Sequence, residues 1–319
     1  MNARRQLLAA ALGLALSASA LAQDQTIRIL VGSPPGGSTD LVARLAAEKM
    51  RASLGVPVIV ENKPGASGQL AAELLKNAAP DGRTLMASPI AVTVLAPLTS
   101  DKLRYDPAKD FAPVSLAANF QFALAVGPGS PAKSVREYVA WARGTPANGA
   151  YAIPLTGGPS HFLGVMLARA SGVDLAPVPY KGSAPMVADM IGGQVPAGIA
   201  LVSDFVKLHQ AGKLRMIGSF GPERSPAAPD IPTLREQGFA DSEGLGWIAF
   251  HTVAGTPQET VERLAKSAAA AIRSPDVSER LLAVGLEPVG STAEELAKRT
   301  AEDIARWSAL VKASGFRAN

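Results

Sequence analysis

The chain has 319 residues, of which 47% are hydrophobic and 18% are charged, and it contains no cysteine. This composition is typical of a globular protein and excludes a mainly disordered chain. The lack of cysteine excludes a disulfide scaffold, a cysteine-ligated zinc site, a thiol nucleophile and a lipid-modified N-terminal cysteine. The formal net charge is only +4, and the basic residues are not clustered as they are in nucleic-acid-binding proteins.

The first 22 residues have the pattern of a secretory signal peptide. Arg4 and Arg5 precede an uncharged Leu- and Ala-rich segment over residues 7–18, and Ala22 ends a small-x-small cleavage pattern. The apolar segment is shorter than the roughly 20 residues that span a membrane, although a retained anchor is the alternative. We therefore predict cleavage near Ala22 and a periplasmic location, with both the general secretory and the twin-arginine export routes open.

Short strands and helices alternate in the next part of the chain. Strands are predicted at residues 27–31, 56–60 and 84–87, which are short apolar runs bounded by Gly or Pro. Helices are predicted between them, one capped by Ser38 or Thr39 and one at residues 69–79, because apolar residues recur there at four-residue spacing. This order predicts half of a doubly wound parallel sheet.

The middle of the chain repeats the alternation, and the C-terminal part is helical. Strands are predicted at residues 122–126, 150–153, 176–178, 194–199 and 214–219, and helices at 160–170, 185–191 and 203–210. Capping boxes are predicted to begin at Thr256 and Ser291, the second opening a helix that runs to about Ala313. We predict a two-lobe α/β fold in which residues 23–121 plus 248–319 form lobe 1 and residues 122–247 form lobe 2, with crossings near Gln121 and Trp247.

Motifs for catalysis and cofactor binding are lacking in the sequence. The three histidines are isolated, and there is no G-x-S-x-G elbow or phosphate-binding loop. The G-x-G-x-x-A match at residues 244–249 is predicted to lie in a strand, which does not suit a dinucleotide-binding turn. Ser160, His161 and Asp204 are a candidate Ser-His-Asp triad. However, Ser160 and His161 are adjacent in the sequence and cannot readily hydrogen-bond to each other in catalytic geometry. We predict no enzyme activity, no catalytic residue, no metal and no cofactor; a secreted hydrolase is the least favoured alternative.

Two glycine-rich loops, each between a predicted strand and a predicted helix, are the candidate binding elements. The first glycine loop is residues 33–39, and the second is residues 156–161. Glycines allow a ligand to approach the backbone closely, and the unpaired N–H groups of a helix N-terminus favour an anion. The alternative is that these residues form only an ordinary turn and N-cap between a strand and a helix. The predicted ligand-binding residues are Ser33, Pro34, Pro35, Gly36, Gly37, Ser38, Thr39, Ser88, Thr156, Gly157, Gly158, Ser160, His161, Tyr180, Ala200 and Ser203.

A series of ordered motifs carries a resemblance to a known family. They are PPGGSTD at 34–40, VENKPGASG at 60–68, APDG at 79–82, YDP at 105–107, DFAPV at 110–114, VPYKGS at 178–183, AGKLR at 211–215, PDIPT at 229–233 and EPVGST at 287–292. With these motifs the chain resembles the Bug-type periplasmic receptors of tripartite tricarboxylate transporters, from about Ile27 to Phe316.

The resemblance implies a type II periplasmic-binding fold, in which each lobe is a mostly parallel sheet flanked by helices. It implies a monomeric, non-enzymatic receptor that captures a small organic carboxylate between the two glycine loops. The implied partner is a membrane permease with one large and one small subunit, without an ATPase. A ligand sensor for a signalling partner and a receptor without a cognate permease are the alternatives.

Two departures from the family pattern bear on the ligand. Many members carry an Asp-Asn pair within a V-D-x-x-x-D-N stretch, at the place of residues 195–201 here. Pro196 and Ala200 replace the two acids of that stretch. Without a carboxylate there to hold an ammonium group, a plain organic acid or an aromatic carboxylate is favoured over an amino acid. Ile153, Pro154 and Leu155 stand where members often have small polar residues, which predicts an apolar wall in the pocket.

Overall fold

Strands and helices alternate through most of the chain, as the sequence predicts. The computed structural model describes residues 25–318. The strands are β1 Ile27–Val31, β2 Val58–Asn62, β3 Thr84–Pro89, β4 Phe111–Val126, β5 Ala150–Ile153, β6 Ala176–Pro179, β7 Ala197–Leu201, β8 Arg215–Ser219, β9 Leu245–Val253 and β10 Leu286–Pro288.

The helices cover both faces of the sheets formed by these strands. They are α1 Ser38–Leu54, α2 Gln69–Lys76, α3 Ala96–Thr99, α4 Pro107–Asp110, α5 Val135–Ala142, α6 Pro159–Ser171, α7 Ser183–Ile191, α8 Val202–Gln210, α9 Gln258–Ile272, α10 Pro275–Leu282 and α11 Ala293–Ser314. Short 3₁₀ turns lie at Ala66–Gly68, Pro146–Gly149 and Ala240–Ser242, and a π-helical segment lies at Ala91–Leu95.

The strands form two mixed sheets that share β4. In the first sheet the order is β2-β1-β3-β9-β4: β1 is parallel to β2 and β3, and β9 is antiparallel to β3 and β4. In the second sheet β4 pairs antiparallel with both β7 and β8, and β5 is parallel to β7 and β6. Parallel strands joined by helices therefore make up the outer part of each lobe, and antiparallel strands connect the lobes.

Strand β4 is longer than the sequence indicates. Only its last five residues, 122–126, are predicted as a strand, whereas the strand begins at Phe111. Its pairing with β9 is irregular at Pro113 and again near Ala117. Proline and bulges interrupt the alternation that identifies a strand in sequence, which accounts for the missed part. The strand leaves one sheet for the other between Gln121, which pairs with Leu245, and Phe122, which pairs with Leu201.

The core of lobe 1 lies between its sheet and an amphipathic helix pair. On α9, Val261, Leu264, Ala268 and Ile272 are buried at three- and four-residue spacing, as expected for one face of a helix. This face packs against α1 and the sheet. Burial of these apolar side chains stabilises lobe 1 by removing their surface from water.

Helix α11 packs against both lobes on the opposite side of the sheet. Trp307 contacts Phe162 of α6 with ring centroids 6.2 Å apart. Asp303 is buried, and its Oδ2 accepts hydrogen bonds from Trp247 Nε1 and Arg299 Nε, each at 2.8 Å. The carboxylate is therefore paired, as a buried charge must be, and it joins α11 to the crossing strand β9.

The structure corrects three helix-start predictions. Neither Ser38 nor Thr39 caps α1, because Gly37 is the N-cap and makes no side-chain hydrogen bond. Helix α9 begins after Pro257, since the Thr256 hydroxyl instead donates to the carbonyl of Val253 at 2.8 Å. The second capping box is real but lies one residue later than predicted.

Most other predicted elements differ from the structure by only one to three residues at their ends. Within residues 25–318 no helix has the length and apolar character needed to cross a membrane. The predicted signal peptide lies outside the described residues.

Candidate functional site

A cavity of about 370 Å³, here called the cleft cavity, opens between the lobes at the carboxyl ends of β1 and β3. In doubly wound sheets this is the edge at which ligands bind. The second lobe contributes Leu155, which follows β5. The full lining is Gly32, Ser33, Pro34, Thr39, Pro64, Gly65, Ser67, Gly68, Met86, Ala87, Ser88, Pro89, Ala91, Val92 and Leu155.

Two serine hydroxyls in the cleft cavity are buried without a partner. The Oγ atoms of Ser33 and Ser88 are both inaccessible to solvent and have no hydrogen-bond partner within the described chain. A buried hydroxyl normally has a partner, because an unpaired one loses its hydrogen bonds to water. Both follow or end a strand, at the place where the sequence analysis predicts binding residues. Both hydroxyls therefore have unused hydrogen-bonding capacity beside the cavity.

Asp40 fixes the shape of the first glycine loop. Its carboxylate accepts hydrogen bonds from Gly36 N–H at 2.9 Å, Arg44 Nε at 2.9 Å and Asn62 Nδ2 at 2.8 Å. Asn62 also donates to the carbonyl of Ser33 at 3.0 Å. The loop is therefore tied at both ends to α1 and to the end of β2.

Hydrogen bonds keep the Asp40 carboxylate ionised although it is buried. Burial alone would raise the pKa of Asp40, but the hydrogen bonds from Arg44, Gly36 and Asn62 outweigh it and lower the pKa to about 2. The N–H of Gly36 is occupied by this carboxylate, so it is not free for a ligand. Because Gly37 caps α1 without a side-chain bond, the first-turn N–H groups of α1 have no partner inside the helix.

Two glycine backbones touch beneath the cleft cavity. A Cβ placed on Gly32 would lie 2.6 Å from the Cα of Gly68 and 2.8 Å from its carbonyl oxygen. Gly68 itself has φ +95°, a conformation that favours glycine. This approach brings the loop after β1 against the turn Ala66–Gly68, so that both line the same cavity.

The second glycine loop does not line the cleft cavity; only its neighbour Leu155 does. The N–H of Gly157 donates to His161 Nδ1 at 3.2 Å, and Ser160 is buried. No side chain caps the following helix, since α6 begins at Pro159 after the N-cap Gly158. Thr156 is exposed beside the loop.

Phe316, from the C-terminal tail, covers the second glycine loop. Its ring lies 5.0 Å from the His161 ring in an edge-to-face arrangement, and a Cβ on Gly157 would lie 2.7 Å from it. Two residues later the N–H of Ala318 donates to the carbonyl of Thr99 in lobe 1 at 2.7 Å. The tail thus contacts both lobes.

Burial of the imidazole lowers the pKa of His161 below its ordinary value. The neutral form, which accepts the Gly157 N–H bond, is therefore favoured by folding. Its contribution to stability is complete above the ordinary histidine pKa of about 6.5 and is lost as the pH falls through the lower pKa of the folded state. We expect an NMR titration of the His161 ring, read together with the Gly157 amide, to show a midpoint below 6.5.

The variant Phe316→Ala should raise that midpoint towards 6.5, because it exposes the ring to water. A His161 midpoint at or above 6.5 in the unaltered protein would contradict this account of the loop.

The other predicted binding residues lie away from the cleft cavity. The hydroxyl of Tyr180 donates to Asp189 Oδ2 at 2.8 Å at the sheet edge. Ala200 is fully buried in the apolar core of the second lobe, and Ser203 packs against the turn at Gly285. Pro35, Gly36, Gly37 and Ser38 are exposed on the first glycine loop, outside the cavity lining.

The Ser-His-Asp arrangement is not formed. Asp204 Oδ2 accepts a hydrogen bond from the Ser183 hydroxyl at 2.8 Å, and His161 Nδ1 accepts from a backbone N–H. Among the residues that the structure describes, no group of His, Asp or Glu is placed to hold a metal ion. None of the residues lining the cleft cavity in the described chain is ionisable. The cavity therefore offers hydrogen bonds and apolar contacts.

The sequence model of the "Tripartite tricarboxylate transporter family receptor" matches residues 42–316. The chain belongs to this family. Protein BugT of Bordetella pertussis is 30% identical over 292 residues, which are 91% of this chain and 90% of that protein. The resemblance seen in the sequence motifs is thereby confirmed.

Solved structures of receptors in this family share the fold. Rpa4515 of Rhodopseudomonas palustris, determined with adipate, is 30% identical with a TM-score of 0.80 and covers 92% of this chain and 98% of its own. MatC from the same species, with bound malate, is 32% identical with a TM-score of 0.76 and covers 90% of this chain and 98% of its own. The two-lobe periplasmic-binding fold is confirmed, and the family consists of periplasmic solute-binding receptors rather than enzymes.

Proposed function

We propose that this chain binds a small organic carboxylate in the cleft cavity and delivers it to a tripartite permease with one large and one small subunit. The observation that carries the proposal is the pair of buried, unpartnered hydroxyls of Ser33 and Ser88 at the carboxyl ends of β1 and β3. The adipate and malate of the two related structures support the ligand class.

The binding chemistry is hydrogen bonding to an anion without a cationic side chain. One carboxylate oxygen accepts from the Ser33 and Ser88 hydroxyls, and the first-turn N–H groups of α1 supply further donors and a partial positive charge. Met86, Val92 and Leu155 provide an apolar wall for the ligand's carbon skeleton. No acidic side chain lines the cleft cavity in the described chain, so the ammonium group of an amino acid would have no counter-ion.

Closure of the lobes would complete the site. Residues 23–121 plus 248–319 move as lobe 1 and residues 122–247 as lobe 2, which brings Thr156, Gly157, Gly158, Ser160 and His161 towards the first glycine loop. Tyr180 and Ser203 then border the cleft on the side of lobe 2. A ligand drives this change only by binding the closed form more tightly.

In this proposal the receptor is a free periplasmic monomer, exported by a signal peptide cleaved near Ala22. Lobe closure would present the permease with a surface that the open receptor lacks. Release of the carboxylate then requires the permease to favour the open form.

The test is a calorimetric and thermal-shift screen of organic acids on residues 23–319. A ligand at 100 times its dissociation constant should raise the free energy of unfolding by about 2.7 kcal/mol. Ser33→Ala and Ser88→Ala should each weaken the affinity by about tenfold, because each removes one hydrogen bond to a charged group, worth about 1.5 kcal/mol.

Ser242→Ala is the matched control, since Ser242 Oγ is also buried without a partner but lies outside the cleft cavity. If no organic acid stabilises the protein, or if all three serine variants bind equally well, the proposal fails.

A further inference from the structure

A second cavity, here called the rear cavity, lies on the other side of the π-helical segment Ala91–Leu95 from the cleft cavity. Ala91 and Val92 line the cleft cavity, whereas Thr93 and Val94 line the rear one. The rear cavity has a volume of about 280 Å³ and lies under α11. Its walls are mainly apolar and include Val94, Leu98, Phe111, Ala297, Ala301 and Ile304.

Two polar groups that line the rear cavity are buried without partners. Thr93 is 2% exposed and His251 is 5% exposed, and neither Thr93 Oγ1 nor His251 Nδ1 has a hydrogen-bond partner within the described chain. Leaving such a group unsatisfied is unfavourable, because it has lost its hydrogen bonds to water. A ligand that hydrogen-bonds to both groups in this cavity would remove that unfavourable contribution.

The histidine is uncharged at this site. Burial lowers the pKa of His251 to about 4, against the smaller opposing effect of the backbone of Ala249. The ring is therefore neutral at pH 7. A neutral imidazole has one nitrogen that donates and one that accepts, so the unpartnered Nδ1 can hydrogen-bond a hydroxyl group in either sense.

The charges that line the rear cavity do not suit a carboxylate, which is the ligand class proposed for the cleft cavity. Apart from His251, its one ionisable lining residue in the described chain is Asp106, whose carboxylate pairs with Lys109 Nζ at 3.0 Å. No cation lines the cavity among the described residues, so an anion there would have no opposite charge beside it. An uncharged molecule with a proton to donate fits both groups.

We propose that the rear cavity is a second binding site, for a small uncharged molecule with an apolar body and one hydroxyl group. That hydroxyl donates to His251 Nδ1 and accepts from the Thr93 hydroxyl, so a single group satisfies both. An apolar cavity of about 150 Å³ holds benzene, so the rear cavity has room for a substituted ring. Phenol is the simplest probe of this class.

The test is a phenol titration of the full mature chain, followed by calorimetry and by the ¹⁵N shift of the His251 ring. We expect saturable binding that moves the His251 Nδ1 resonance. Thr93→Val, which keeps the side-chain shape but removes the hydroxyl, should weaken phenol binding about tenfold. Ala301→Phe, on the exposed surface of α11, should fill the cavity and abolish binding.

Thr99→Val is the matched control, because Thr99 is a buried threonine of the neighbouring helix whose hydroxyl already donates to the Leu95 carbonyl at 2.9 Å. It should leave phenol affinity unchanged within twofold. The proposal is overturned if phenol does not saturate, if Thr93→Val and Thr99→Val bind equally well, or if benzoate displaces phenol. Because Ser33 and Ser88 take no part, this result is separate from the carboxylate test.

Discussion

Replacing Asp40 with alanine is expected to lower the free energy of unfolding by about 3 kcal/mol and to abolish carboxylate binding. The side chain is 3% exposed and is the common acceptor for Gly36, Arg44 and Asn62. Removing one member of a buried charged network leaves the others unpaired, which costs about 3–5 kcal/mol when both partners are buried. Arg44 is half exposed, so the lower end of that range applies.

The loss of binding should exceed what the loss of stability explains, because the first glycine loop would no longer be tied to β2. Chemical denaturation measures the first effect, and calorimetry with a bound organic acid measures the second. Asp276→Ala is the matched control, since Asp276 forms an exposed ion pair with Lys49 at 2.7 Å, and such pairs contribute little to stability. Equal effects of the two variants would contradict this assignment.

The pH dependence gives an independent check on Asp40. Its pKa is lowered to about 2 in the folded state. The stabilisation from its ionised form is therefore complete above the ordinary aspartate pKa of about 3.9 and is lost as the pH falls through about 2. The Asp40→Ala variant should lack this loss of stability when the free energy of unfolding is measured at a series of pH values between 5 and 2.

Replacing Gly32 with alanine is expected to cost about 3 kcal/mol of stability and at least a hundredfold in carboxylate affinity. The new Cβ would lie 2.6 Å from a backbone atom of Gly68, which a rotamer change cannot relieve. The loop after β1 must then move away from the turn Ala66–Gly68, and both line the cleft cavity. Such overpacking of a close backbone contact is among the more destabilising single changes.

Gly129→Ala separates this contact from the general effect of adding a methyl group. Gly129 has an ordinary φ, and no atom lies within 4 Å of a Cβ placed there. That variant should retain its melting temperature and its affinity. If Gly32→Ala behaves in the same way, the close approach has no part in shaping the cavity.

Local patterns in the sequence predict most of the secondary structure. Strands β1 and β5 are predicted to the residue, because each is a short apolar run bounded by turn residues. Residues 111–121 of β4 are not predicted, since Pro113 and the bulges near it obscure the alternation. The capping errors at Ser38 and Thr256 have another cause: a hydroxyl at a helix start has several possible partners, and the sequence does not say which it takes.

The cleft cavity is predicted in part. Ser33, Pro34, Thr39 and Ser88 are predicted as binding residues, and the structure places them in its lining. The role of Asp40 is missed, because it depends on the register that brings Asn62 beside Val31. The i,i+4 spacing of Asp40 and Arg44 is the one local signal that pointed to it. The position of the second glycine loop is missed because its cover, Phe316, is 155 residues away from His161 in the sequence.

The chain passes between the lobes in two strands, β4 and β9. These strands are hydrogen-bonded to each other, and Gln121 pairs with Leu245 at the crossing. Each lobe keeps its own sheet on its own side of that point. In the proposed closure, a movement there would change the angle between the lobes and leave the surface of either lobe as it is. Neither lobe alone would then differ between the loaded and the empty receptor. A partner that distinguishes the two forms would have to contact both lobes at the same time.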